Sequence, residues 1–390
     1  MKYHALATAL LLSSAIFGGA QAQQPIKIGV LTPLSGTYAG IGQQVRWGLD
    51  LAAKEINAAG GVLGRPITLV YEDSQANPSV AVPRAERLFD VERVDFLTGT
   101  VSSGVTLAVG QVAERAGRLM ATTVSFADSI TGTRCSPNVF RVNARAGQQS
   151  VALASWLAAE RPNARVFFLG PDYEMGRSTV AAFRANAEKV GATSVGETFA
   201  PLDAADYSQY FGAIRSARPT VLYTSVAGND TVRFFTQMQD FGVRANLTVL
   251  GASGTITSQN IGAIGAAAEG FVTGVGYSTM IDTPEHATFL AAFRAHSGGS
   301  DPDLYGADSY GVLFAYLAAA KAAGSIETDA LRKAFRGLSW NTPQGVKTIR
   351  AGDHQAMQQM YVVRVEKGEF RIVGSVAADK AIGDDLCERF

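Results

Sequence analysis

A chain of 390 residues, 47% of them hydrophobic, has enough apolar side chain for two cores, which excludes a disordered protein. Its 34 basic residues balance its 34 acidic ones. It therefore lacks both the basic field that nucleic acid demands and a polybasic run for an anionic membrane, and the partners left are small molecules or proteins.

The first residues carry a leader pattern. Lys2 and His4 precede the apolar run ALATALLLSSAIF, and GGAQA places Ala20 and Ala22 as the small residues of an A-x-A cleavage site. The run is short for a bilayer. Cleavage after Ala22 is expected, giving a soluble mature chain of 368 residues in an oxidising extracytoplasmic space, with 33 basic against 34 acidic groups. Cys135 and Cys387 are the two cysteines. In an oxidising compartment an even pair reads as a disulfide, the alternative being two separate thiols. Neither has zinc-site spacing, and His4, His286, His296 and His354 are scattered, so no metal or other cofactor is expected.

Periodicity then alternates. IKIGVLTPL reads as a buried strand, VRWGLDLAAKEINAAGG as a helix with a glycine stop, ITLVYEDS as a strand, and Pro78–Phe89 as a helix. VDFLTGT leads into the helical VTLAVGQVAERAG, followed by the strand RLMATTVS. The alternation returns with RVFFLGPD, RSTVAAFRANAEKVG, TVLYTSVAG and DTVRFFTQMQDFG. Strands separated by single helices imply parallel sheets covered on both faces. The first series spans about Ile26 to Arg141, and the second opens near Ser155. NVFRVNARAG between them reads as an extended connector. A late helix, YGADSYGVLFAYLAAAKAAG, precedes a strand pair turning at Lys367-Gly368. Two similar lobes joined by extended segments suggest a hinged clamp.

In such sheets ligands bind beyond the carboxyl ends of the strands. The loops expected there are polar and glycine-rich: TPLSGTYAGIG, GTVSSGV, TTVSFADS, GPDYEMG, TSVAGND and GASGTITS. Ser102 and Ser103 set hydroxyls where a strand becomes a helix, a position that favours a carboxylate, although one serine there also serves as a plain N-cap. Ser103 as a nucleophile lacks a G-x-S-x-G elbow, an S-x-x-K pair and an evident histidine base. No G-x-x-x-x-G-K-[ST] loop occurs, and GIGQQV lacks the third glycine of a dinucleotide fingerprint. Tyr38, Phe126, Tyr173 and Tyr305 are candidates to grip an apolar or aromatic ligand body, with core or hinge packing the competing role. Arg46, Trp47, Phe234 and Phe235 read as packing or surface.

The stretch IKIGVLTPLSGTYAGIGQQVRWGLDLAAKEINAAGGVLGRPITLVYEDSQANP resembles the N-terminus of periplasmic branched-chain amino acid-type binding proteins, which serve ABC importers. The S-G-x-Y-A-x-x-G loop, the E-I-N-A-x-G-G-V-x-G turn, Ser102-Ser103, DYEMGR and TPQGVKTIRAGDHQAMQQMYVVRV extend the resemblance over the mature chain. It implies an α/β, type I periplasmic-binding fold: two Rossmann-like lobes of parallel sheets joined by three hinge crossings, near Arg141–Ala144, Gly274–Ser278 and Ala351–His354. The lobes expected are residues 23–143 with 277–352 and residues 144–276 with 353–378, leaving 379–390 as a tail. By the same resemblance Ser103 holds a ligand carboxylate, and Val124, Ser125 and Phe126 form the segment that receives an ammonium, Phe126 replacing a threonine. The acidic residue that neutralises that ammonium falls near Ser253, a tyrosine falls near Val226, and Met175 replaces a second tyrosine. A buried ammonium without an anionic partner costs several kcal/mol, so an ordinary α-amino acid fits poorly.

TRCSPNVFRV with a cysteine near the C-terminus resembles members that take aromatic acids, which implies that Cys135 pairs with Cys387 and ties the tail back. The expectation is a monomeric, non-enzymatic binding protein that passes a carboxylate with an apolar or aromatic body to an ABC permease. Atypical amino acids, amides, ureas, branched-chain amino acids, a receptor-coupled sensor and a secreted hydrolase using Ser103 are the alternatives.

Overall fold

The computed structural model describes residues 24–245 and 247–389. The leader and its cleavage after Ala22 lie outside the described residues. In the first half, strands β1 (Ile26–Thr32), β2 (Ile67–Asp73), β3 (Phe96–Thr98), β4 (Leu119–Thr122) and β5 (Val139–Arg141) alternate with helices α1 (Ala39–Ala58), α2 (Pro78–Asp90) and α3 (Ser103–Arg115). The strands form an all-parallel sheet in the order β2-β1-β3-β4-β5. Residues such as Val30 and Leu31 are wholly buried although they point to opposite faces, because helices cover both sides.

The second half begins with α4 (Ala146–Glu160), then β6 (Arg165–Pro171), α5 (Glu174–Lys189), β7 (Thr193–Ala200), α6 (Ser208–Ala217), β8 (Val221–Thr224), α7 (Asn229–Asp240), β9 (Thr248–Gly251), the short α8 (Ile261–Ile264) and β10 (Val272–Val275). The chain returns to the first lobe for α9 (Pro284–Ser297), α10 (Leu304–Ala323) and α11 (Thr328–Phe335). A small antiparallel sheet follows, made of β11 (Ser339–Thr342), β12 (Gly345–Ile349) and β13 (Ala356–Met357). Strands β14 (Met360–Glu366) and β15 (Glu369–Val376) then complete the second sheet in the order β15-β14-β10-β9-β8-β6-β7, before α12 (Ala378–Ala381). The β14–β15 hairpin turns at Lys367-Gly368, both with positive φ, where the sequence pattern puts it.

Two elements depart from the reading of the sequence. Helix α4 starts at Ala146, inside the segment read as an extended connector, and Val139–Arg141 of that segment is the fifth strand of the first sheet. Strand β7, TSVGETFA, is a half-exposed edge strand whose polar alternation hides it from an apolar-run criterion.

Helix α10 brings Tyr305 to the space between the lobes, and its place is set by close packing on α1. A Cβ at Gly48 would lie 2.2 Å from the Gly306 carbonyl oxygen, so only glycine lets the two helices approach this closely. The helix is started by Asp303, whose Oδ1 accepts the N–H groups of Tyr305 (2.8 Å) and Gly306 (3.1 Å). Further along, the Lys347 ammonium meets the Asp308 carboxylate and donates to the Val142 carbonyl at 3.0 Å, linking α10 to the first crossing. Burial pushes the Asp308 carboxyl up and the Lys347 amine down, and the attraction between the two opposes both shifts. The cysteines pair as Cys135–Cys387.

Candidate functional site

Ser102 precedes α3 in extended backbone (φ −67°, ψ 128°), and no side chain caps that helix. The plain N-cap role is therefore not how the Ser102 hydroxyl is used. Ser103 is the first helical residue and wholly buried. Its Oγ accepts the Ala127 N–H at 3.2 Å and keeps an O–H to give. A helix N-terminus without a side-chain cap carries partial positive charge from its first N–H groups and favours an anion there.

The loop after β4 supplies the floor. Val124 packs in the first-lobe core, and the Ser125 hydroxyl turns inward to Thr106 and to the Val101 carbonyl (2.9 Å), so it ties loops together within the lobe. Phe126 stacks on Tyr305, with ring centroids 6.2 Å apart and planes 25° apart. Arg141, wholly buried, fixes this loop: its Nη1 donates to the carbonyls of Ala127 (2.7 Å) and Ser125 (3.2 Å), and its Nε to Gln355 Oε1 (2.5 Å). Burial lowers the guanidinium to about 9, so it stays charged at neutral pH. Gln355 in turn donates to the Asn143 carbonyl (2.8 Å) and to Gln148 Oε1 (3.0 Å), stitching the first crossing to the third. Sequence reasoning passed over Arg141 and Gln355. The available signal was an arginine set between Phe140 and Val142 in an apolar strand.

The opposite wall comes from the second lobe. Tyr173 stands just before α5, and its hydroxyl lies 2.8 Å from that of Tyr38. Burial raises both phenols well above their ordinary value, so the pair is neutral. Met175 and Ala227 join Tyr38, Val124, Phe126 and Tyr305 in one apolar cluster that spans the cleft. The lobes are closed on each other. Asn229 N–H donates to the Thr37 carbonyl (3.2 Å), Ser129 Oγ to Glu174 Oε1 (2.7 Å), and Asp128 N–H to Ser178 Oγ (3.0 Å). A Cβ at Gly254 would fall 1.8 Å from the Tyr305 hydroxyl, so closure needs glycine at 254.

The structure thus brings Tyr38, Val124, Phe126, Tyr173 and Tyr305 into one apolar cluster, and ties Ser103 to the adjoining loop through the Ala127 N–H. Val226 is not among them: its side chain packs in the second-lobe core, while Ala227 joins the cleft cluster. Ser253 sits on the loop after β9. Its N–H donates to Gln149 Oε1 (3.2 Å), its buried Oγ has no hydrogen-bond partner, and it lines a cavity of about 320 Å³ beside the aromatic cluster. Among the described residues no cluster of three or more His, Cys, Asp or Glu could hold a metal ion, and no helix is long and apolar enough to cross a membrane.

Two lobes closed over an aromatic cleft, with an uncapped helix start on one wall, form a trap for a small solute. The sequence model of the family described as Periplasmic binding protein matches residues 25–369. The chain belongs to this family. It is a member of the periplasmic binding proteins over nearly all of its described length. It is 28% identical over 327 residues to Leu/Ile/Val-binding protein homolog 3 of Brucella melitensis biotype 1, covering 82% of this chain and 86% of that one. A solute-binding protein of an ABC transporter from R. palustris, solved in complex with benzoate, superposes with a TM-score of 0.85 at 25% identity, over 93% of this chain and 99% of that one. One from Rhodopseudomonas palustris HaA2, in complex with p-hydroxybenzoic acid, gives 0.83 at 25% identity, over 91% and 97%.

Proposed function

We propose that the chain captures a small carboxylate with an aromatic or apolar body between its lobes and delivers it to an ABC importer, without chemistry of its own. The observation that carries this reading is the uncapped start of α3 at Ser103, whose hydroxyl accepts the N–H of Ala127, next in the chain to Phe126, which stacks on Tyr305. An anion is favoured at the helix start and a flat apolar body against the stacked rings. Tyr38, Ser102, Val124, the backbone of Ser125, Tyr173 and Ser253 complete the proposed contacts. The protein acts as a monomer, with lobes 23–143 plus 277–352 and 144–276 plus 353–378, the tail 379–390 being held by the disulfide.

The structures complexed with benzoate and p-hydroxybenzoic acid support an aromatic acid. A branched-chain amino acid is the second reading, favoured by what the Brucella relative is called. Against it stands Ser253 where an acidic partner for the ammonium is expected from the resemblance. Isothermal titration of refolded, ligand-stripped protein with benzoate-type acids and with leucine separates the two. Heat with the acids and none with leucine supports the proposal. Tight leucine binding without a response to the acids overturns it.

A further inference from the structure

The last residues leave one lobe and are fastened to the other. Strand β15 is an edge of the second sheet, and Ala381 of α12 is buried in the second-lobe core with residues of α4. Cys387 is bonded to Cys135, in the loop before β5 of the first sheet. Arg389 extends the attachment, donating to Glu114 Oε1 on α3 (2.8 Å) and to the Cys135 carbonyl (2.9 Å). The six residues from Ile382 to Cys387 reach about 20 Å at most when fully extended, so this link between the lobes is short.

The link is also pinned along its length, by the first and third crossings. Arg145, directly after the first crossing, is 3% exposed and donates from Nη2 to the Ile382 and Asp384 carbonyls, both at 2.7 Å. Arg350, directly before the third, donates to the carbonyls of Gly383 (2.7 Å) and Asp384 (3.1 Å). Hydrogen bonds from a guanidinium are charge-assisted and belong to the stronger class. A Cβ at Gly352 would meet Asp385 Oδ2, and one at Gly132 would lie 3.3 Å from Leu386 Cβ, so the tail lies directly on the third crossing and on the loop of Cys135.

The two crossings are joined under it. Arg141 N–H donates to the His354 carbonyl (3.0 Å), and Arg350 N–H to the Gln355 carbonyl (2.8 Å). Opening the lobes turns backbone angles in these segments, and a tail bound to both resists that turn. We propose that the tail is a splint: a fourth connection between the lobes, closed by Cys135–Cys387, that stiffens the first and third crossings and limits how far the ligand-free protein opens. It leaves the contacts of the closed state as they are and acts on the open one.

Hydrogen exchange and X-ray scattering on the ligand-free full chain test this, with wild type set against Cys135→Ser/Cys387→Ser. Wild type treated with dithiothreitol gives the same comparison in the unaltered sequence. Loss of the bond should enlarge the ligand-free radius of gyration. It should also speed exchange of the Arg141, Arg350 and His354 amides about tenfold or more, while strands β1 and β8 stay protected over the same interval. A radius of gyration and crossing exchange unchanged from the oxidised protein, or an acceleration spread evenly over both lobes, overturns the inference. No ligand enters the comparison, so its outcome is separate from the capture of any particular solute.

Discussion

The hydroxyls of Tyr38 and Tyr173 meet at 2.8 Å across the cleft, one from each lobe, and form a latch made of two neutral phenols. This bond exists only when the lobes are shut. Its strength therefore adds to ligand affinity and not to the stability of either lobe.

Tyr38→Phe and Tyr173→Phe should each weaken ligand binding about fivefold, the worth of one hydrogen bond of about 1 kcal/mol. The double variant should be no worse than either single one, because both remove the same contact. Calorimetry of the four proteins checks this, and thermal melts without ligand should coincide within about a degree.

Arg141 should prove indispensable although it lies behind the site. Its guanidinium holds the Ser125 and Ala127 carbonyls and Gln355 at once, a fork that an ammonium cannot reproduce. Arg141→Lys is expected to destabilise the fold by about 2–4 kcal/mol, through buried carbonyls left without donors. Ligand affinity should fall with it, because the Phe126 loop loses its anchor. Chemical denaturation and titration of the same sample read both effects.

Much of this architecture was legible in the chain. The alternation of IKIGVLTPL, VRWGLDLAAKEINAAGG and their successors fixes strand and helix locally, because a buried parallel strand needs a continuous apolar run and an amphipathic helix needs a stripe. The glycine and serine loops at the strand ends were visible for the same reason. What escaped depends on partners distant in sequence. Nothing local distinguishes the Ser125 hydroxyl, which turns to Thr106 and Val101, from that of Ser103. Val226 sits in a candidate loop, yet its side chain faces the core and its neighbour Ala227 the cleft. The role of Arg141 appears only once residue 355 is folded against it.

The disulfide should matter more for stability than for recognition. Cys135 and Cys387 are 252 residues apart, and closing a loop of that length removes up to about 5 kcal/mol of unfolded-chain entropy. The tail is also held by Arg145, which donates to the Ile382 and Asp384 carbonyls at 2.7 Å, and by Arg350, which donates to the Gly383 carbonyl at 2.7 Å. The double serine variant should therefore melt several degrees lower while its ligand affinity changes less than about threefold. Differential scanning calorimetry beside titration separates the two outcomes.

Acid should loosen the third crossing through His354. Its ring stacks on Phe140 with centroids 4.0 Å apart, and Arg332, Arg336 and Asp353 are the charged groups around it. Burial holds the imidazole down to about 4, against the pull of the Val139 carbonyl. A depressed histidine contributes stability that is complete above about pH 6.5 and is lost as pH falls towards 4, up to about 3 kcal/mol. Since His354 has a left-handed backbone (φ 59°), asparagine is the replacement that fits. Unfolding free energies of wild type and His354→Asn should converge as pH falls through that window, and parallel curves would exclude this residue as the cause.

The most direct test of capture at the start of α3 is titration of ligand-stripped wild type and Ser103→Ala with a benzoate-type acid, with X-ray scattering on the same samples. The account predicts that the acid shrinks the wild-type radius of gyration as the lobes close, and that Ser103→Ala weakens binding by about tenfold or more. Scattering that is superimposable with and without acid, together with unchanged affinity in Ser103→Ala, would contradict it.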